Sequence, residues 1–216
     1  MKTILSTKKL SPSQKGLITN AGISLVEYNA IKIEFIPFEI PSTIENVIFT
    51  SQNAINAVMS YGLEVMNCFC VGEKTKSLLE KNGLNVIKMT EYASELAEYL
   101  VKDHQKDSFH FFCGNIRSDE IPSKLKNNKI AFEEIEVYKT TLNPKKFERQ
   151  FDAVLFFSPS GVRSFVSENK INASKVICIG STTAQEARKY TENVVISNAT
   201  TVESVIAKTV KHLISH

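Results

Sequence analysis

The chain has 216 residues, enough for one large domain or two of about 100 residues. Hydrophobic residues make up 43% and charged residues 23%, which supports packed cores and excludes a disordered chain. A net charge of +3 without a long Lys/Arg run excludes a nucleic-acid footprint, yet suits a small, strongly anionic ligand.

From the start, Met1-Lys2-Thr3-Ile4-Leu5-Ser6 holds too short an apolar run for a signal peptide. No stretch approaches the roughly 18 apolar residues of a membrane span, so a soluble, cytoplasmic protein is expected. Residues 2–36 read as a strand–loop–helix–strand unit. The runs 46–50, 67–71, 108–113, 153–157 and 174–179 are apolar almost throughout, the mark of strands covered on both faces. Between them, 52–61, 74–82, 93–102, 161–168, 181–190 and 202–214 space apolar residues at helical intervals. The expected fold is α/β, built from doubly wound, flavodoxin-like parallel sheets.

The chain also nearly repeats itself. Val47-Ile48-Phe49-Thr50-Ser51-Gln52-Asn53-Ala54 is answered by Val154-Leu155-Phe156-Phe157-Ser158-Pro159-Ser160-Gly161. Cys70-Val71-Gly72-Glu73-Lys74-Thr75 is answered by Cys178-Ile179-Gly180-Ser181-Thr182-Thr183. Ser51 and Ser158 lie 107 residues apart, while Gly72 with Gly180 and Glu95 with Glu203 lie 108 apart. A repeat of that length implies two like-built domains. The block 46–101 is followed by a strand–loop–helix–strand unit at 108–141, whereas block 151–216 ends the chain. The matching unit stands earlier, at 2–36. The expected domains are therefore 1–36 with 142–216, and an inserted 37–141. A two-stranded β connector is expected near Phe35-Ile36-Pro37-Phe38 and Val137-Tyr138-Lys139-Thr140-Thr141, permitting hinge motion.

In doubly wound sheets, ligands bind beyond the carboxyl ends of the strands. Here those loops are Ser6-Thr7-Lys8, Thr50-Ser51-Gln52-Asn53, Gly72-Glu73-Lys74-Thr75, Cys113-Gly114-Asn115, Ser158-Pro159-Ser160-Gly161 and Gly180-Ser181-Thr182-Thr183. Backbone N–H groups at helix starts bind carboxylate or phosphate, and Ser, Thr and Asn add donors. Each loop alone also reads as an ordinary helix cap. Six together favour a multidentate anion site.

Familiar alternatives are missing. The sequence has no GxGxxG, GxxxxGK[ST] or GxSxG motif. Cys68, Cys70, Cys113 and Cys178 lie in or at the ends of apolar runs, with no CxxC, and read as buried thiols. His212 and His216 fall in the terminal helix or tail, His104 in a polar turn and His110 in an apolar strand, so no His triad or zinc centre is expected. Tyr138, on the second crossing, has two readings: a phenol that donates a proton with Lys139 beside it, or an aromatic packing across the connector.

Phe-Thr-Ser-x-Asn-Ala at 49–54, Phe-Phe-Ser-Pro-Ser-Gly at 156–161, Ile-Gly-x-Thr-Thr-Ala at 179–184 and Val-Tyr-Lys-Thr at 137–140 together resemble the uroporphyrinogen-III synthase family. Cys113-Gly114-Asn115 with Arg117, and Val71-Gly72-x-x-Thr75, fit the same family. The matches are colinear over roughly residues 3–190. Thr7-Lys8-Lys9 departs from the Thr-Arg-Pro of many bacterial members, keeping charge but losing a bidentate fork. The resemblance implies a cofactor-free, metal-free cyclising lyase. Its substrate would be hydroxymethylbilane, a polycarboxylate linear tetrapyrrole, held between two domains and handed over transiently by hydroxymethylbilane synthase. The product would be uroporphyrinogen III, formed with loss of water and inversion of ring D through a spiro intermediate. It implies Tyr138 as the acid, with Thr7, Lys8, Thr50, Ser51, Asn53, Gly72, Thr75, Gly114, Asn115, Lys139, Ser158, Ser160, Gly161, Thr182 and Thr183 binding substrate. A monomer is expected. A clamp that binds a small anion without chemistry stays open; a tetrapyrrole methyltransferase would need a glycine-rich nucleotide loop that the sequence lacks.

Overall fold

In the computed structural model, residues 1–39, 44–62, 67–172 and 174–214 are described. The backbone divides into two compact units, Met1–Lys32 with Thr141–His216, and Ile33–Thr140. The chain passes from one to the other within β3 (Ile31–Phe35) and within β8 (Ala131–Leu142), which are hydrogen-bonded neighbours.

The first unit contains β1 (Thr3–Ser6), α1 (Pro12–Thr19), β2 (Ser24–Glu27), β9 (Ala153–Phe156), α6 (Pro159–Val166), β10 (Lys175–Cys178), α7 (Ser181–Ala187), β11 (Val194–Ile196) and α8 (Val202–Ile214). Its parallel strands stand in the order β11-β10-β9-β1-β2, which in chain order is the flavodoxin arrangement 2-1-3-4-5 read from the other edge. The second unit contains β4 (Asn46–Phe49), α2 (Gln52–Met59), β5 (Asn67–Val71), α3 (Glu73–Lys81), β6 (Val86–Thr90), α4 (Ala93–Asp103), β7 (Ser108–Gly114) and α5 (Glu120–Asn127), followed by β8. Its strands run β3-β8-β7-β4-β5-β6, with β4 to β8 parallel. Read from β6 with β3 set aside, the chain order is 3-2-1-4-5. Counted from β7 it becomes 2-1-3-4-5, so β7 and β8 hold the places of β1 and β2. The second sheet is thus a circular permutation of the first.

Strand sequences are apolar throughout because both sheet faces are covered. In β4, Val47 and Phe49 pack with Phe112 and Ile135 on one face, while Ile48 joins Phe69, Phe109 and Phe111 on the other. In β9, Val154 and Phe156 face one cluster and Ala153 and Leu155 the opposite one. Fully burying a Phe or Leu contributes about 1.5–3 kcal/mol, so each strand carries several such terms.

Caps set the helix limits. Ser11 and Gln14 form a reciprocal capping box, with Pro12 in the first turn of α1. The Ser158 hydroxyl accepts from Gly161 N–H and Pro159 opens α6, which therefore starts two residues ahead of the expected 161–168. α2 ends at Met59 rather than 61, before a turn closed by Gly62 at φ +66°. α7 ends at Ala187, short of the expected 190. No described helix is long and apolar enough to cross a membrane.

Candidate functional site

The sequence-assigned residues fall at the carboxyl ends of parallel strands in both units. In the second unit, Thr50 and Ser51 follow β4, and the Ser51 hydroxyl accepts the Asn53 N–H at 3.2 Å as the cap of α2. It also accepts the Tyr138 hydroxyl, 3.2 Å away, although the two residues are 87 apart in sequence. Ser51 therefore receives two hydrogen bonds and keeps its own proton to give. Tyr138 pairs with Gly114 at the end of β7, where the ladder register shifts. Asn115 follows, and its side chain both accepts from Thr140 N–H (2.8 Å) and donates to Thr140 O (3.3 Å). Lys139, between them, is exposed.

Gly72 follows β5 at φ +86°, a conformation that favours glycine, and caps α3 without any side-chain hydrogen bond. Its carbonyl takes the Thr75 N–H at 3.0 Å, and Thr75 itself is buried. In the first unit Gly180 starts α7, again with no side-chain cap among the described residues. The two glycines of the sequence repeat thus leave early helix amides open to an anion, whereas the two serines of the repeat cap their own helices.

Elsewhere in the first unit, Thr7 donates to Leu155 O at 2.7 Å, and Lys8 is exposed. A side chain on Gly161 would meet Ser158 Oγ at 3.3 Å and Thr7 Oγ1 at 3.6 Å, so these three residues meet beyond the carboxyl ends of β1 and β9. Ser160, on α6, accepts from Arg163 at 3.1 Å, and the same guanidinium pairs with the largely buried Glu186 at 3.3 Å. Lys189 completes that network at 2.8 Å. Thr182 is exposed on α7, but Thr183 is 2% exposed. Arg163 escaped the sequence reading; its only signal there is the three-residue spacing from Ser160 on one helix face.

A cavity of about 600 Å³ is lined by Cys113, Gly114, Asn115, Ile116, Arg117, Glu134 and Glu136. Arg117 is bridged to Glu134 and, at 2.9 Å, to Asp119. Burial opposes its charge, but the Asp119 hydrogen bond and Glu134 prevail and hold it above its ordinary range. The cavity is therefore not a free cationic pocket.

The four cysteines are buried, and two histidines are paired with neighbouring carboxylates. Burial pushes Cys68 and Cys178 up to about 12 and Cys70 and Cys113 up to about 11, so all four are thiols at neutral pH. His104 lies against Asp107 at 2.7 Å and the Phe69 ring at 5.0 Å between centroids. His110, in β7, approaches Glu133 at 3.8 Å. His216 lies outside the described residues. Among those described, no group of three or more His, Cys, Asp or Glu is placed to hold a metal ion.

Comparison with known proteins gives one family. Residues 13–207 match the family model described as uroporphyrinogen-III synthase HemD. The porphyrin biosynthesis protein HemD of Ruminiclostridium josui is 26% identical over 222 residues, covering 87% of this chain. The match takes in 43% of that relative, so the chain spans less than half its length. Among solved structures, uroporphyrinogen-III synthetase from Helicobacter pylori 26695 superposes with a TM-score of 0.74 at 16% identity, over 98% of this chain and 100% of the other. A mutant uroporphyrinogen III synthase from the extremely thermophilic bacterium Thermus thermophilus gives 0.68 at 12% identity, with 100% of both chains covered. These two likenesses establish the fold.

Proposed function

The chain belongs to the uroporphyrinogen-III synthase family, and from that premise we propose that it cyclises hydroxymethylbilane to uroporphyrinogen III without a cofactor. The observation that carries the reading is the Tyr138–Ser51 hydrogen bond beside the carboxyl end of β4 in the second unit, whose helix starts are suited to carboxylates. The two units are read as the two domains of this enzyme, with residues 37–141 inserted.

In the first step Tyr138 gives its proton to the hydroxyl leaving ring A. The carbon–oxygen bond breaks, water departs and an electrophilic, N-protonated azafulvene forms, its positive charge balanced by the phenolate. Ser51, which accepted from the phenol, turns its own proton towards the new phenolate. The substituted α-carbon of ring D attacks the azafulvene, giving the spiro intermediate. Fragmentation and recombination at the free α-carbon of ring D then deliver the inverted ring, and the proton that this carbon loses on rearomatising restores the Tyr138 phenol. Within each unit, loops at the carboxyl ends of strands, after β4 and β5 in the second and after β9 and β10 in the first, offer hydroxyls and backbone N–H groups to carboxylate arms. Because the bilane closes unaided to the uninverted isomer, most of the catalysis is positioning.

The test is a coupled assay in which hydroxymethylbilane is generated enzymatically, the product oxidised, and isomers I and III separated. Predominant isomer III is the expected result. Isomer I alone overturns the synthase, and tight binding without inversion would put the non-catalytic clamp in its place.

A further inference from the structure

Gly114 has no backbone reason to be glycine, since its φ lies outside the left-handed region that excludes side chains. Its neighbour supplies the reason. A Cβ on Gly114 would lie 2.9 Å from Cε1 and 2.5 Å from Cε2 of Tyr138, and closer still to Cζ. All three distances are below 3.0 Å, a separation real Cβ atoms essentially never go beneath. The hydroxyl-bearing half of the ring therefore rests directly on the Gly114 backbone. The strand ladder is adapted to the same end. Its register passes from Cys113–Glu136 to Gly114–Tyr138, skipping Val137, which sets Tyr138 opposite the one residue without a side chain.

Asn115 grips the strand beyond. Its backbone N–H donates to Tyr138 O at 3.3 Å, and its side-chain amide takes Thr140 N–H and returns a bond to Thr140 O. The amide thus copies a peptide group and extends the β7 pairing past its last residue. Ring, carbonyl and hydroxyl of Tyr138 are held by Gly114, Asn115 and Ser51 respectively.

We propose that Gly114 and Asn115 are positioning residues for the Tyr138 phenol, acting through Tyr138 rather than as ligands of the substrate. The inference rests on the reading of Tyr138 as the acid. It differs from what the sequence motif alone implies, in which both residues bind substrate.

Two double-mutant cycles test it. In the isomer assay, Gly114→Ala lowers kcat for isomer III by about 10²-fold with KM unchanged, the scale of a misplacement near 1 Å. Asn115→Ala, on an exposed side chain, gives a smaller loss of the same kind and serves where Gly114→Ala folds poorly. In the Tyr138→Phe background neither change lowers kcat further, because no hydroxyl is left to misplace. A rise in KM at constant kcat, or losses that multiply in that background, would overturn the proposal and return both residues to substrate binding. Undiminished turnover by Tyr138→Phe would overturn it through the acid. The second cycle needs no substrate: Gly114→Ala lowers the thermal midpoint when Tyr138 is present and not when it is Tyr138→Ala. An equal drop in both backgrounds would remove the seat itself, whether or not the chain proves to be a synthase.

Discussion

In the first unit Tyr28 directly follows β2, and in the second Tyr138 lies in β8, the strand with the same place in the permuted sheet. Both tyrosines are 6% exposed. Tyr28 stacks edge-on against Phe147, its hydroxyl has no partner among the described residues, and burial pushes it up to about 12. Tyr138 instead gives its hydroxyl to Ser51. The loop residues explain the divergence. Where β7 ends in Gly114, which admits a ring, β1 ends in Ser6, whose hydroxyl is turned back onto Lys8 O at 2.5 Å. Ser51 receives the phenol in addition to its cap bond from Asn53 N–H, whereas its counterpart Ser158 receives the Gly161 N–H alone among the described residues. Two equally buried phenols thus differ in whether a hydroxyl partner meets them.

The largest effects should be alike in the two units, since their cores are built alike. Phe156→Ala in the first and Phe112→Ala in the second, both 0% exposed, should each cost about 3–5 kcal/mol in denaturant unfolding. A cost confined to one unit would break the structural half of the comparison. Tyr28→Phe sharpens the other half. Removing a buried hydroxyl without a partner should raise stability, by about 1 kcal/mol or less, read as a higher denaturation midpoint. A loss of stability would mean that the hydroxyl has a partner after all.

The smallest effect belongs to the first unit alone. The Thr3 N–H hydrogen bond, at 2.7 Å, leads the causes that hold Asp152 below the usual carboxylate range. A carboxyl with a lowered folded value stabilises above its unfolded value near 4, and that contribution is lost as pH falls through the folded one. Asp152→Asn should therefore lower the thermal midpoint at neutral pH, with the difference vanishing in acid. A difference that grows in acid would contradict this assignment.

Central strands were legible in the sequence because a strand covered on both faces must be apolar at nearly every position. β4, β5, β7, β9 and β10 all obey that rule. The edge strands β6 and β11 did not announce themselves: their residues are mostly half-buried, and β6 carries Lys88 in mid-strand. At the site, Ser51, Gly114 and Tyr138 were each visible as motif residues, but their mutual contacts were not. Those join positions 87 residues apart by hydrogen bond and through a register shift that no local spacing encodes. Arg163 was hidden for a simpler reason, since an arginine on a helix reads as solvated until Ser160 and Glu186 are seen around it.

The most direct measurement sets the two tyrosines side by side in the isomer assay. The parent, Tyr138→Phe and Tyr28→Phe would be given the same enzymatically generated hydroxymethylbilane. Tyr138→Phe should form isomer III about 10²-fold more slowly, the scale of a lost general acid, while Tyr28→Phe keeps the parent rate. Equal rates for all three proteins, or equal losses in both variants, would contradict the account.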